Sequence, residues 1–253
     1  MLETYSSRTR LFLNIAQRGW FRPIARFIER ITIPGILLHY GARKKCIAGL
    51  VRSALTNGAT QVVIVGAGFD SLSFELHQDF PATQFWEIDH PATQRHKVLS
   101  FPAINLERLH FVAADLSTTG LDDEALIKTG FDPGQRTFWI AEGLLMYLPA
   151  DTVGALMRRL GRLSGPSSQF AFTFMEKQGD GRIRFDSQSK LVEWWLRGRR
   201  EPFLWACTRG ELGDLVRPWR IVRFFDHDDL RQMGPGRTDQ PIAKGEVICL
   251  TEI

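Results

Sequence analysis

The chain has 253 residues, a net charge of +4, and 44% hydrophobic against 24% charged residues. That balance fits one large folded domain with a sizeable core and excludes a disordered, collagen-like or wholly polyanion-binding protein. Its three cysteines, Cys46, Cys207 and Cys249, are odd in number, far apart and without Cys-x-x-Cys spacing. A disulfide framework or a zinc site is therefore not expected, and a reducing compartment is.

The charge is uneven, because residues 8–52 carry ten Lys and Arg against one acid, Glu29. We read this as the solvated face of amphipathic helices, so no nucleic-acid partner is expected. The apolar run 31–38 is broken by Pro34 and Gly35 and is too short to span a bilayer. Arginines interrupt the first thirty residues, so no signal peptide is read there and a cytoplasmic location is the expectation.

In chain order, apolar residues within 10–31 predict two short helices, with Pro23 in the first turn of the second. A helix over 40–57 follows, stopped by Asn57-Gly58, and the β-branched run 61–66 predicts a fully buried strand. The pattern then alternates: helix 69–78, strand 83–89, helix 91–101, strand 109–115, helix 122–129 and strand 136–142. A helix over 151–163 with Asp151 as its cap precedes a fifth strand at 169–174. Residues 177–208 break the rhythm with a basic and aromatic stretch, after which 219–225 and 246–253 read as two late strands. Strands alternating with helices at this spacing predict an α/β fold, a doubly wound, mostly parallel seven-stranded sheet.

Gly66-Ala67-Gly68 closes the first strand and opens a helix, at the sheet edge where such folds bind ligands. The second strand ends in Asp89, placed to accept the hydroxyls of an adenosine ribose, the third in Asp115 and the fourth in Glu142. Four neighbouring strand ends carrying Gly, Asp, Asp and Glu suit either a nicotinamide or an S-adenosylmethionine site. The dinucleotide fingerprint wants a third glycine where Ser71 stands, and Tyr40-x-x-x-Lys44 precedes the glycine loop instead of following it. S-adenosylmethionine has no pyrophosphate and carries a cationic sulfur, so an acid-lined edge favours it.

With these features the sequence resembles the leucine carboxyl methyltransferases. That family includes an enzyme that methylates a phosphatase C-terminus and bacterial polyketide O-methyltransferases of the tetracenomycin type. The resemblance covers about half of the chain, Tyr40 to Phe174. It rests on Gln-Val-Val-Ile-Val-Gly-Ala-Gly-Phe-Asp at 61–70, Phe-Trp-Glu-Ile-Asp-His-Pro at 85–91 with Lys97 beyond, and Ala-Glu-Gly-Leu-Leu-Met-Tyr-Leu at 141–148. It implies a Rossmann-like S-adenosylmethionine methyltransferase of class I with N-terminal helices and a helical lid. As a single domain, this divides into a helical cap (1–57), a cofactor-binding core (58–176), a lid insertion (177–208) and C-terminal strands (209–253).

The resemblance also implies roles. Arg43 would meet the methionine carboxylate of S-adenosyl-L-methionine, a group that suits a guanidinium fork. Gly66, Ala67 and Gly68 would back the methionine portion, Asp89 would hold the ribose, and Asp115 and Leu116 would lie beside adenine. Glu142 and Gly143 would face the amino end or the sulfur. The acceptor is expected to be a carboxylate or hydroxyl on a small molecule or a chain end. A carboxylate is already ionised and needs only alignment for in-line methyl transfer. A phenol or alcohol would call on Tyr147 or His90 as base. In the insertion, Trp194, Trp195 and Trp205 would wall the acceptor and Arg182 or Arg184 would meet an acid, unless the tryptophans pack on the core. Where many relatives read Asp-Thr-Arg and Arg-Leu, this chain reads Asp70-Ser71-Leu72 and Glu75-Leu76. Two further readings stand beside methyl transfer, a nicotinamide oxidoreductase and a non-catalytic binding module.

Overall fold

Alternate residues of the first strand point to opposite faces, and both faces are apolar, so the strand must lie between two layers. The computed structural model, which describes residues 29–100, 107–118, 120–190, 192, 194, 202–233 and 240–253, builds that sandwich. Strands β1 (Gln61–Val65), β2 (Gln84–Asp89), β3 (Leu109–Ala113), β4 (Thr137–Ala141) and β5 (Gln169–Met175) pair in parallel. With β6 (Arg220–Phe225) and β7 (Glu246–Glu252) they form one sheet in the order β3-β2-β1-β4-β5-β7-β6. The last strand in sequence enters antiparallel between β5 and β6.

Helix α1 (Ile36–Thr56) covers one face, where Ile47 and Val51 pack with Val62, Ile64, Phe85 and Phe138. On the other face Val63, Val65, Trp86 and Trp139 meet Leu156 and Leu160 of α5 (Ala150–Arg162). The connecting helices are α2 (Leu72–Asp79), α3 (Pro91–Ser100) and α4 (Asp123–Lys128). Strand order reverses between β1 and β4, which opens a crevice beyond their C-terminal ends.

Several boundaries differ from the sequence reading. Helix α1 begins at Ile36, four residues before the expected start, because Gly35 initiates it. At Gly35 φ is +84°, and a Cβ there would stand 2.5 Å from the Pro241 carbonyl oxygen. Helix α5 is capped at Pro149, and Asp151 sits in its first turn, where its charge favours the helix dipole without capping. The third strand ends at Ala113, short of Asp115. Two short helices were not expected: α6 (Arg209–Leu215), closed by a capping box between Thr208 and Glu211, and α7 (His227–Met233). The two N-terminal helices expected within 10–31 lie largely outside the described residues. Among the described residues, no helix is long and apolar enough to cross a membrane.

Candidate cofactor site

Beyond β1 the backbone must turn sharply under a neighbouring loop, and only a bare backbone fits. Gly66 has φ +72°, and a Cβ on it would lie 2.9 Å from Leu144 Cδ1. The turn is fastened to β2 by Gly66 N–H, which donates to the Ile88 carbonyl at 2.8 Å. Asp89 then ties the loop to its own strand end. Its Oδ2 accepts from Gly68 N–H at 2.6 Å, and its Oδ1 accepts from His90 N–H at 2.6 Å. A carboxylate offers about four lone-pair sites, so two remain for a diol. At the next strand end, Asp115 accepts from the Ser117 hydroxyl at 2.6 Å and from Ser117 N–H at 3.0 Å. The Ser117 hydroxyl foremost, then Thr118 and the Ser117 N–H, hold its carboxyl down to about 2.

Gly66, Gly68, Asp89, Asp115 and Leu116 line a cleft of about 660 Å³. Leu144, Tyr147, Leu148, Pro202 and Leu204 line it as well, as does His90. Leu204 is pinned there by its N–H, which donates to the Met146 carbonyl at 2.7 Å.

Next to this cleft, α1, β4 and β7 assemble a buried charge cluster. Arg43 donates from Nε to Glu142 Oε1 at 2.8 Å and from Nη1 to both oxygens of Glu246, at 2.8 and 2.6 Å. Its guanidinium lies over the Tyr40 ring, 4.7 Å from the centroid. Glu246 Oε2 also pairs with His39 Nε2 at 2.8 Å. Lys44 bridges Asp70 Oδ2 at 2.5 Å and Glu142 Oε2 at 2.9 Å. The side chains of Arg43 and Glu246 are only 12% and 1% exposed. Burial alone would raise the Glu246 pKa, but Arg43 and the His39 contact outweigh it and hold the carboxyl near about 2. Burial likewise works against the Arg43 charge, and Glu246 and Glu142 outweigh it, so its pKa is raised. Among the described residues, Arg43 Nη2 has no hydrogen-bond partner, and it lies 3.6 Å from where a Cβ on Gly143 would be.

The structure therefore brings Arg43, Glu142 and Gly143 together, and gathers Gly66, Gly68, Asp89, Asp115 and Leu116 at the adjoining cleft; Ala67 is buried within the loop. Tyr147 faces the cleft with 37% exposure, its ring 5.5 Å from that of Phe203. His90 Nδ1 accepts from Ala92 N–H at 3.2 Å at the start of α3. Arg182 does not line the cleft; it is largely exposed and sits 3.9 Å from Asp180, which also takes Arg184. Trp194 is 72% exposed and does not line it either, and Trp195 lies outside the described residues. Trp205 is buried against Phe174, so it belongs to the core. The insertion reaches the cleft through Pro202 and Leu204 instead.

Four participants were not singled out from the sequence: His39, Lys44 as an ion-pair partner, Asp70 and Glu246. The one signal for Glu246 is an acid opening an otherwise apolar buried strand. Lys97, noted beyond the second motif, pairs with Glu87 at 2.5 Å, each 1% exposed, and the Ser73 hydroxyl donates to the same carboxylate. Burial is the chief cause of a raised Glu87 pKa, opposed by Lys97. This pair ties α2 and α3 to the middle of β2, beneath the glycine loop.

A seven-stranded sheet of this order, with bare glycines and carboxylates on one edge, defines the fold class of S-adenosylmethionine-dependent methyltransferases. The chain belongs to the leucine carboxyl methyltransferase family, whose pattern matches residues 11–161. A Frankia alni protein is 38% identical over 66% of this chain and 59% of its own length, and a Mycobacterium tuberculosis protein 32% identical over 72% and 59%. Both are named for S-adenosyl-L-methionine-dependent methyl transfer. The chain thus spans under two thirds of the length of these relatives. In fold it is similar to a Thermobifida fusca structure named for methyl transfer, at 16% identity, with 93% and 88% of the two chains covered and a TM-score of 0.64. A DUF574 family protein from Streptomyces avermitilis gives 15% identity, 99% and 92% coverage, and a TM-score of 0.62.

Proposed function

We propose that this chain transfers a methyl group from S-adenosyl-L-methionine to an oxygen acceptor, most readily a carboxylate on a largely apolar small molecule or chain end. One observation carries the reading: at the strand-order reversal, a cleft lined by a bare glycine turn and the half-used carboxylate of Asp89 adjoins the Arg43–Glu142 pair. Gly66 and Gly68 admit the methionine portion to the backbone, and Ala67 lies between them. Asp89 receives the ribose hydroxyls, and Asp115 and Leu116 flank the adenine. Glu142, with Gly143 beside it, receives the ammonium, and Arg43 receives the carboxylate. When bound, the cofactor supplies an electrophilic methyl group on a positively charged sulfur.

Support for a largely apolar acceptor body comes from the rest of the lining. Leu144, Leu148, Pro202 and Leu204 are apolar, and no Lys or Arg lines the cleft among the described residues. Such a wall excludes water and orients an apolar body, while the reacting carboxylate, with an ordinary pKa of about 4, needs no base. For a phenol or alcohol, Tyr147 or His90 is the cleft residue able to move a proton. The insertion 177–208 acts as a wall over the acceptor through Pro202 and Leu204.

Calorimetric titration with S-adenosylmethionine and S-adenosylhomocysteine tests the site. Wild type binds both, and Arg43→Ala and Asp89→Ala each lose about tenfold or more, the cost of a charged hydrogen bond. A folded wild type that binds neither would overturn the reading. Methyl transfer from labelled cofactor to a panel of aliphatic carboxylic acids and phenols then separates the acceptor classes.

A further inference from the structure

The proposed site leaves two buried polar groups without a task. Glu246 opens β7 and His39 lies on α1, 207 residues apart in sequence, yet they meet at 2.8 Å with both side chains essentially sealed from solvent. Resting on the cofactor reading above, we propose that Glu246, itself held by His39, is a positioning residue. It fixes the Arg43 guanidinium so that Nη2 is presented to the carboxylate of an amino-acid-bearing adenosine ligand.

An arginine on a helix has several rotatable bonds, so its aim must come from its partners. Glu246 takes Nη1 with both oxygens and Glu142 takes Nε, which uses two of the three guanidinium nitrogens and leaves Nη2. Glu246 is fixed in turn from several directions. His39 holds Oε2 from α1, and the neighbouring Thr173 on β5 helps to keep the carboxylate charged. The Thr173 hydroxyl accepts from Gly143 N–H at 2.8 Å, which sets the loop against which Nη2 lies. A buried ion pair is weak evidence for stability, since well-packed apolar groups would do as well. Its specific product here is one guanidinium edge in one place. The incoming carboxylate arrives with its own ammonium, which Glu142 takes, so the ligand's amino-acid end adds no net charge to the cluster.

The test compares two ligands that differ only beyond the adenosine sulfur. S-adenosylhomocysteine carries the amino-acid end, and 5′-methylthioadenosine lacks it. By calorimetry, Glu246→Gln weakens S-adenosylhomocysteine about tenfold, with 5′-methylthioadenosine bound as by wild type. His39→Phe, which keeps the Glu246 charge and fills the ring's space, shows the same pattern at smaller size, and it carries the test if Glu246→Gln fails to fold. Glu246→Asp recovers part of the loss. Equal weakening of both ligands, or an unchanged affinity for S-adenosylhomocysteine, would overturn the positioning role while leaving the cofactor site standing. Failure of wild type to bind S-adenosylhomocysteine overturns both.

Discussion

Glu246 keeps a charge in a place where solvent gives it no help, and that has a measurable cost in acid. Its carboxyl is held near about 2 against an ordinary 4.5, so the folded state takes up this proton less readily than the unfolded chain. A depressed carboxyl stabilises fully above its ordinary value and loses that contribution as pH falls through the folded one. At 1.36 kcal/mol per unit, the difference is on the order of 3 kcal/mol. In denaturant titrations the stability gap between wild type and Glu246→Gln therefore narrows by about that amount from pH 6 down to about pH 2. A gap that stays constant would mean that folding does not lower the Glu246 pKa. The sequence reading reached Arg43, Asp89 and Glu142 because each sits in a short motif or at a strand end. It could not reach Glu246, whose partners Arg43 and His39 are 203 and 207 residues away and share no local pattern with it.

The glycine turn is the element on which the cleft depends. Gly66→Ala meets two penalties, a left-handed backbone costing about 1–2 kcal/mol and a methyl group forced into the Leu144 side chain. It lowers both thermal stability and S-adenosylhomocysteine affinity, because Leu144 is itself part of the cleft. Gly68→Ala meets open space and carries the backbone penalty alone in the ligand-free protein, so it is the milder variant for thermal stability. Affinity unaffected by Gly66→Ala would separate the turn from the binding site. Strands β1 to β5 were legible because buried parallel strands must be apolar on both faces, and Val, Ile, Phe and Trp runs say so. Helices α6 and α7 were not, being seven residues each, and Gly210 and Gly213 hide the first despite its Thr208…Glu211 cap signature. Arg182 stands away from the cleft for a similar reason: it is held by a local turn at Asp180, which composition does not reveal.

At the scale of the whole molecule, all three cysteines are free and buried. Burial pushes Cys46 to about 11 and Cys207 to about 12, and raises Cys249 as well. A thiol reagent such as dithionitrobenzoate therefore leaves the native protein unmodified and labels three thiols once denaturant unfolds it. Fast labelling of Cys46 or Cys249 in the native state would contradict the packing of α1 or of the β5–β7 pair. The placement of β7 has a further consequence, which concerns time. Synthesis is vectorial, and the sheet's interior position between β5 and β6 is filled by the strand made after both. Until it leaves the ribosome, β6 has no neighbour to pair with, and β5 exposes an open apolar edge. The nascent chain can assemble the glycine turn and Asp89 early, yet Arg43 receives its Glu246 partner only then. The Arg43 network is thus completed only once β7 joins the sheet, and the sheet without it leaves an unpaired apolar edge exposed.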